Sequence, residues 1–347
     1  MEPSLDAAID VVEAAYDLRV DATDWLSNVL RAGGELFDLG LGCYGTIAAG
    51  RSEQGVPLIT QMAECPRANG VSMRVMEAAQ EVGPDLVARA SQAVRGKVYL
   101  LSETRERFPR AYEAITRHAG CTDILSMTAV DPDGCGAHIS LVTSAPMELN
   151  KREREFWQML EVHLATGHRL RRNLGQETNS PPVAMHEIPM SAEALLDPRH
   201  FTIEHAVGRA QEATEAKGIR EAARLVDKAR GPLRKQEPVE ALRLWEALVR
   251  GKWTLVDWFD SDGRRFMLAK PNAPRVKDPR GLTEREAQVA TYAAQGESSK
   301  LIGYRLGLSQ SYVSRLLGDV MRKLGVKTQA QLVEKMRGIA LREPPAA

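Results

Sequence analysis

Between Thr283 and Gly338 the chain spells out four helices in succession, each opened by a residue able to cap it and the first three closed by glycine. Thr283 stands three residues ahead of Glu286, the spacing at which a threonine accepts from the third helical N–H while a glutamate reaches back to the cap. The helix so opened runs to Gln295 and stops at Gly296. Ser298 caps a second, short helix through Leu306, closed by Gly307, and Ser309 caps a third, ended by Gly325. Thr328 and Gln331 repeat the reciprocal pattern for a fourth, whose apolar side includes Leu332, Val333 and Met336. Local signals that agree from helix to helix specify one compact all-helical module.

The link Gly307-Leu308-Ser309 is too tight for an ordinary bundle and makes the second and third helices a helix-turn-helix. In the third helix Val313, Leu316, Leu317, Val320 and Leu324 share one side at the helical period, leaving Gln310, Ser311, Ser314, Arg315, Gly318 and Arg322 facing outward. Such a face fits a major groove about 12 Å wide. Gln310 can pair with adenine and Arg315 with guanine or phosphate, while Ser311 and Ser314 can serve either role. Charge agrees: the 347-residue chain balances 46 Lys/Arg against 46 Asp/Glu, yet from Arg280 onward it holds 11 basic and 6 acidic residues. Phosphate contacts need only local charge, so a basic end on a mildly acidic body suits a DNA-binding module joined to something else.

The order Leu282-Thr283-Glu284-Arg285-Glu286, Gly296, Lys300-Leu301-Ile302, Leu306-Gly307-Leu308-Ser309, Val313 and Arg322-Lys323-Leu324-Gly325-Val326 closely resembles the LuxR/NarL-type family of bacterial regulators, over about Gly281 to Gly338. The resemblance implies a homodimer on imperfectly palindromic double-stranded DNA, with RNA polymerase as a further partner. It implies that Lys300 and Lys323 contact phosphate and that Ser309 to Arg322 is the recognition helix. The expected DNA-binding set is therefore Lys300, Ser309, Gln310, Ser311, Ser314, Arg315, Arg322 and Lys323. Three positions depart from the family: Tyr312 for the usual threonine, Ser314 for a frequent lysine, Leu316 for a frequent histidine. Asp319 adds a negative charge near the same face. These departures spare the fold but weaken two expected contacts, so an adaptor acting by protein contact is the alternative reading.

Ahead of this module, apolar spacing predicts helix from Leu5 to about Leu39, interrupted at Gly33-Gly34, and again over Val71–Ala93, Phe108–Ala119 and Asn150–Leu174. The glycines and prolines between Phe37 and Gly70 predict loops and short strands, and Gly40-Leu41-Gly42-Cys43-Tyr44-Gly45 reads as a turn. Thr122–Val130 and Ala137–Val142 form a hairpin about Asp131-Pro132-Asp133-Gly134. This alternation predicts an α/β or α+β domain over residues 1–175, resembling GAF or PAS sensory domains in general layout and suited to a small-molecule or protein signal. No acidic pair, strand-end aspartate and later lysine of a phosphate receiver can be placed. Residues 176–279 read as a connector: a loosened stretch over Gln176–Pro182, helices over Arg199–Arg230 and Leu233–Val249, a hairpin at Trp253–Ala269 and a proline-rich linker at Pro271–Pro279. The weakly apolar helix at 199–230 either pairs with its copy in a second subunit or packs across the sensory domain. Residues 280–347 complete a multidomain chain with an all-α four-helix domain at its end.

No nucleophile elbow, phosphate-gripping glycine loop or zinc-protease motif occurs, and no enzyme or cofactor is expected. The start lacks a basic-then-apolar leader and no run of eighteen apolar residues appears, so a cytoplasmic protein off the membrane is expected. His118 and Cys121, with Cys135 and His138, have spacings that could close a tetrahedral zinc site, against the reading favoured here that the cysteines pack as small hydrophobes. Cys43 and Cys65 sit in the glycine- and proline-rich stretch and would be redox-sensitive only if exposed and acidic.

Overall fold

In a computed structural model the chain is described over residues 5–178, 192–245, 253–260, 262–272 and 282–340. Helices α1 (Leu5–Tyr16) and α2 (Trp25–Gly33) lead into β1 (Gly40–Arg51) and β2 (Pro57–Glu64). Then come α3 (Val71–Val82), α4 (Pro84–Ala93), β3 (Val98–Leu100), α5 (Pro109–Ala119), β4 (Asp123–Val130), β5 (Cys135–Thr143) and the 28-residue α6 (Lys151–Thr178). The five strands order as β2-β1-β5-β4-β3, every neighbour antiparallel. Side chains alternate across a strand. Cys43, Ile47, Leu125, Met127, Ala137, Ile139 and Leu141 therefore join one core with α1, α2 and α6, while Tyr44, Ile124 and Val142 turn to the opposite side with α3 and α5. The expected hairpin is β4–β5, with Gly134 at φ +87° closing its turn.

Several local expectations change. The turn expected at Gly40–Gly45 is the opening of the 12-residue β1. Gly42, at φ +80°, sits where the register slips between Gly40 and Cys43, and a Cβ there would stand 2.7 Å from both Ala68 N and Cys65 Sγ. Those glycines permit close packing on the next loop; they do not end the strand. The helix over Val71–Ala93 is two, broken at Gly83-Pro84, because proline opens α4 and lacks the N–H needed to continue α3. Cys43 lies within β1, fully buried, and burial pushes its thiol far above the ordinary value, the reverse of a reactive cysteine.

The connector is a second α/β layer. Strands β6 (Ala194–Asp197) and β7 (Thr202–Ala206) precede α7 (Ala213–Arg230), α8 (Leu233–Gln236) and α9 (Pro238–Leu244), followed by β8 (Trp253–Phe259) and β9 (Arg265–Pro271). They form a sheet ordered β7-β6-β9-β8, which corrects the helical connector expected here. The hairpin expected at Trp253–Ala269 is present as β8–β9 and gains β6 beside it. The helix expected from Arg199 begins only at Ala213, and the one expected over Leu233–Val249 breaks before Pro238, with 246–252 outside the described residues. The buried side of α7, Ile219, Ala223, Val226 and Ala229, packs mainly on α8, α9, β7 and β8 of its own layer, not across the first domain as one of the two readings had it. The stretch at Gln176–Pro182 is helical as far as Thr178, and the rest of it, like residues 273–279 of the expected linker, lies outside the described residues.

Helix α6 joins the layers. Arg169, 4% exposed, donates to Asp131 beyond β4 at 2.7 Å and to the Asn272 carbonyl beyond β9 at 3.1 Å. Asn272 in turn donates to the Thr166 carbonyl and to Thr254 Oγ1, each at 3.0 Å. The chain ends in α10 (Glu284–Ala294), α11 (Ser299–Leu306), α12 (Gln310–Lys323) and α13 (Gln329–Ala340), which share a core of their own. Among the described residues no helix is long and apolar enough to cross a membrane.

Candidate nucleic-acid interface

Each cap expected in the last domain is made. Thr283 Oγ1 accepts from Glu286 N while Glu286 accepts from Thr283 N at 2.8 Å. Ser298 and Ser309 each accept from the third N–H of the helix they open, and Thr328 and Gln331 exchange the same pair of bonds. The turn between α11 and α12 depends on two glycines. Gly307 takes φ +65°, and a Cβ on Gly303 would lie 2.5 Å from the Leu308 carbonyl, so the chain can reverse this tightly only where side chains are absent. Val313, Leu316, Val320 and Leu324 are buried with Ile302, Leu306 and Leu332, and this core fixes which side of α12 remains outside.

The remaining side is exposed at Ser309, Gln310, Ser311, Ser314, Arg315, Gly318, Arg322 and Lys323. Its first turns are internally ordered: Ser309 and Ser311 hydroxyls lie 3.2 Å apart, and Ser314 donates to the Gln310 carbonyl at 3.0 Å. Arg315 stacks its guanidinium 4.7 Å from the Tyr312 ring centroid. Tyr312, a departure from the family pattern, thus supports an arginine from beneath. Leu316, another departure, is a core residue and presents nothing to a groove.

The basic side chains divide. Arg322 pairs with Asp319 one turn earlier, Lys323 with Glu286 at 2.7 Å, and Lys300 with Glu155 of α6 at 2.9 Å. Among the described residues Arg315 has no carboxylate within ion-pair distance, which leaves it the expected basic contact whose charge is not already answered.

The Lys300 pair lies at the edge of a seam that the sequence did not disclose. Arg305 of α11, 6% exposed, donates to Glu297 at 2.8 Å and across the seam to Glu161 of α6 at 2.5 Å, and it also reaches the Gly96 carbonyl. Its guanidinium lies over Tyr292, 5.3 Å from the ring centroid. Two carboxylates thus share one cation. Burial pushes Glu297 up to about 7 against the pull of Arg305, and burial likewise raises Glu161. Beside them Tyr304 Oη and Tyr16 Oη flank the two ring nitrogens of His163 at 3.2 and 3.1 Å. His163 is wholly buried, and desolvation pulls it down to about 3, so the ring is neutral. The trace of this seam in the sequence is Glu161 and His163 set between Leu160, Val162 and Leu164, polar residues among apolar neighbours near the middle of α6.

The residues weighed as a zinc set go to different partners. His118 Nε2 meets Glu81 at 2.8 Å, while His138 Nε2 meets Ser140 at 2.9 Å. Cys135 opens β5 opposite Ala49, and Cys121 packs beside the α3–α5 cluster.

Residues 280–336 match the family described as bacterial regulatory proteins, luxR family (GerE). No curated protein matches the chain. The molecule therefore carries a LuxR/GerE-type helix-turn-helix domain at its C-terminal end, preceded by a distinct mixed α/β domain. The helix-turn-helix domain suggests a DNA-binding regulatory role.

Proposed function

We infer that a chain ending in such a domain is a sequence-specific transcription regulator, binding double-stranded DNA as a homodimer and controlled by a signal received in a GAF/PAS-like N-terminal domain. The exposed face of α12, with Arg315 stacked on Tyr312, carries this reading. Ser309, Gln310, Ser311, Ser314 and Arg315 are the proposed base-reading turn, and Lys300, Arg322 and Lys323 the proposed phosphate contacts. Two half-sites one helical turn apart, about 34 Å, would each receive one α12.

Control is supported by the seam. Glu155 already answers the charge of Lys300 and repels an incoming phosphate, so docking on α6 opposes a DNA contact there. A signal that shifts α6 would change how much of the protein is free to bind, as a shift in population.

Selection from a random duplex library with the full chain, followed by titration of the enriched duplex at two salt concentrations, tests the reading. The expected result is a two-fold symmetric sequence whose log affinity falls with log salt at about 0.9 per neutralised phosphate. Arg315→Ala should weaken that duplex roughly tenfold to a hundredfold. The adaptor reading is favoured by one observation, that three of the four expected cations are already paired. No enriched sequence from folded protein, together with a flat salt response, would decide for it.

A further inference from the structure

The first sheet has one apolar side and one polar side, and the polar side is not in water. On the side turned to α3, α4 and α5, β1 presents Tyr44 and Thr46, β4 presents Ser126 and Thr128, and β5 presents His138 and Ser140. Between these residues and the helices lies a cavity of about 220 Å³, roofed by apolar residues such as Val75, Ala79, Val82, Val87 and Ala90. An engineered apolar cavity of roughly 150 Å³ takes up benzene. This one has room for a ring with a short side chain.

Its two ends differ in charge. At the floor, the polar groups satisfy one another: Ser126 and Ser140 hydroxyls lie 3.0 Å apart, and His138 Nε2 lies 2.9 Å from Ser140. Tyr44 hydrogen-bonds Ser140 and Tyr99 hydrogen-bonds Ser126. His138 is held neutral by burial, which pulls it down to about 4. This end offers neutral donors and acceptors.

Arg51 ends β1, five residues beyond Thr46, and at about 3.3 Å per residue it stands at the opposite end of the cavity. It donates to the Gly55 carbonyl at 2.6 Å and to Ser91 Oγ of α4 at 3.1 Å. Its Nε is buried with no partner, and no carboxylate lies within ion-pair distance of it among the described residues. The nearest charged influence on it is another cation, Arg95, and burial with that neighbour pulls the guanidinium down to about 10. A half-buried guanidinium without a counter-charge, facing an apolar cavity, is a site for an anion.

We propose that the cavity binds a small aromatic carboxylic acid, its carboxylate on Arg51 and its ring between the sheet and α3–α5. This rests on the reading of the N-terminal domain as the receiver of the signal, and it names the chemistry of that signal. A guanidinium selects a carboxylate over an isosteric amide by charge. The neutral floor rejects a second charge.

Calorimetric titration of the full chain with benzoate, phenylacetate and 4-hydroxybenzoate, against benzamide and benzyl alcohol, tests the site without altering the protein. At least one carboxylate should saturate one site per chain, and the amide should bind at least tenfold more weakly. Arg51→Gln should weaken the carboxylate tenfold or more and leave the amide unchanged. Filling the cavity by Ala90→Trp should abolish both. Absence of saturable carboxylate binding, equal binding of benzamide, or full affinity in Arg51→Gln from a folded variant would each overturn the proposal. The duplex titration repeated with bound carboxylate separates the two readings: carboxylate binding that leaves duplex affinity unmoved keeps the site and removes its role as receiver.

Discussion

The C-terminal domain and the first sheet are held together by information at different distances along the chain. In the former, every cap acceptor lies within three residues of its donor, as with Thr283 and Glu286, and the tightest glycine, Gly303, meets an atom five residues away. In the latter, β1 pairs with β5 across about ninety residues, and Gly42 meets atoms at positions 65 to 68. Local rules can be applied by reading; pairing rules wait for the partner. The seam is the place where the two kinds of organisation touch, and substitutions there should reveal how far one depends on the other.

The largest effect is expected at the seam itself. Arg305→Met leaves Glu161 and Glu297 buried together without their cation, and breaking a buried pair in this way costs about 3–5 kcal/mol. Urea unfolding at pH 8 should show the loss, and a much smaller one should remain at pH 5.5, where the carboxylates take up protons. An equal loss at both pH values would mean the guanidinium acts mainly by packing.

The next pair sets local against distant glycine. Gly42→Ala forces a left-handed backbone and two contacts at 2.7 Å, and should cost about 3 kcal/mol. Gly303→Ala meets one carbonyl at 2.5 Å with no left-handed strain, and should cost about 2 kcal/mol. Proteolysis should find the first destabilising the sheet domain and the second sparing it. A second substitution that unfolds both domains together would show that they form one cooperative unit.

Protonation sharpens the comparison further. Glu297, raised to about 7 in the fold from the usual carboxylate range, makes the folded state bind more protons than the unfolded one between about pH 4.5 and 7. Its contribution is fully present below that window and is lost as pH rises through 7. His163 and His138, pulled down to about 3 and 4, act oppositely, weakening the fold as pH falls below about 6.5. The Glu297→Gln profile subtracted from that of the unaltered chain should therefore fall with rising pH across the glutamate window and be flat above it. A flat difference throughout would remove Glu297 as the proton-binding group. The smallest effect belongs to the most local feature: Ser309→Ala removes one cap bond and should cost about 1 kcal/mol, with the first sheet's melting unchanged.

The same contrast explains what could be read in the sequence. The four terminal helices, the buried side of α12 and the exposure of Gln310, Ser311, Ser314 and Arg315 follow from caps and a 3.6-residue period, both local. Strand β1 reads as a turn because Gly40, Gly42 and Gly45 are scored for their freedom, while Gly42 serves close approach to a loop and Gly45 to Leu26. Strands β6 and β7 go unseen because each is short and becomes part of a sheet only through β9, about seventy residues later. The pairing of Lys300 with Glu155 and of Arg305 with Glu161 joins positions about 145 residues apart, and the polar residues within α6 do not name their partners.

Helix α6 meets all three parts of the molecule: the first sheet through Arg169 and Asp131, the second through Asn272, and the terminal domain through Glu155, Glu161 and His163. At 1.5 Å per residue its 28 residues make a rod of about 42 Å. A rod gripped at three places works like a shaft with three gears: turning it at one grip turns it at all, and the load is limited by the grip that slips first. The gradation of the grips fixes that order, since the side chains of Lys300 and Glu155 are 68% and 44% exposed while those of Arg305 and Glu161 are 4% and 1%. Any displacement of α6 would therefore load the wet outer pair before the dry inner one, and the terminal domain would part from the helix at the edge before the centre.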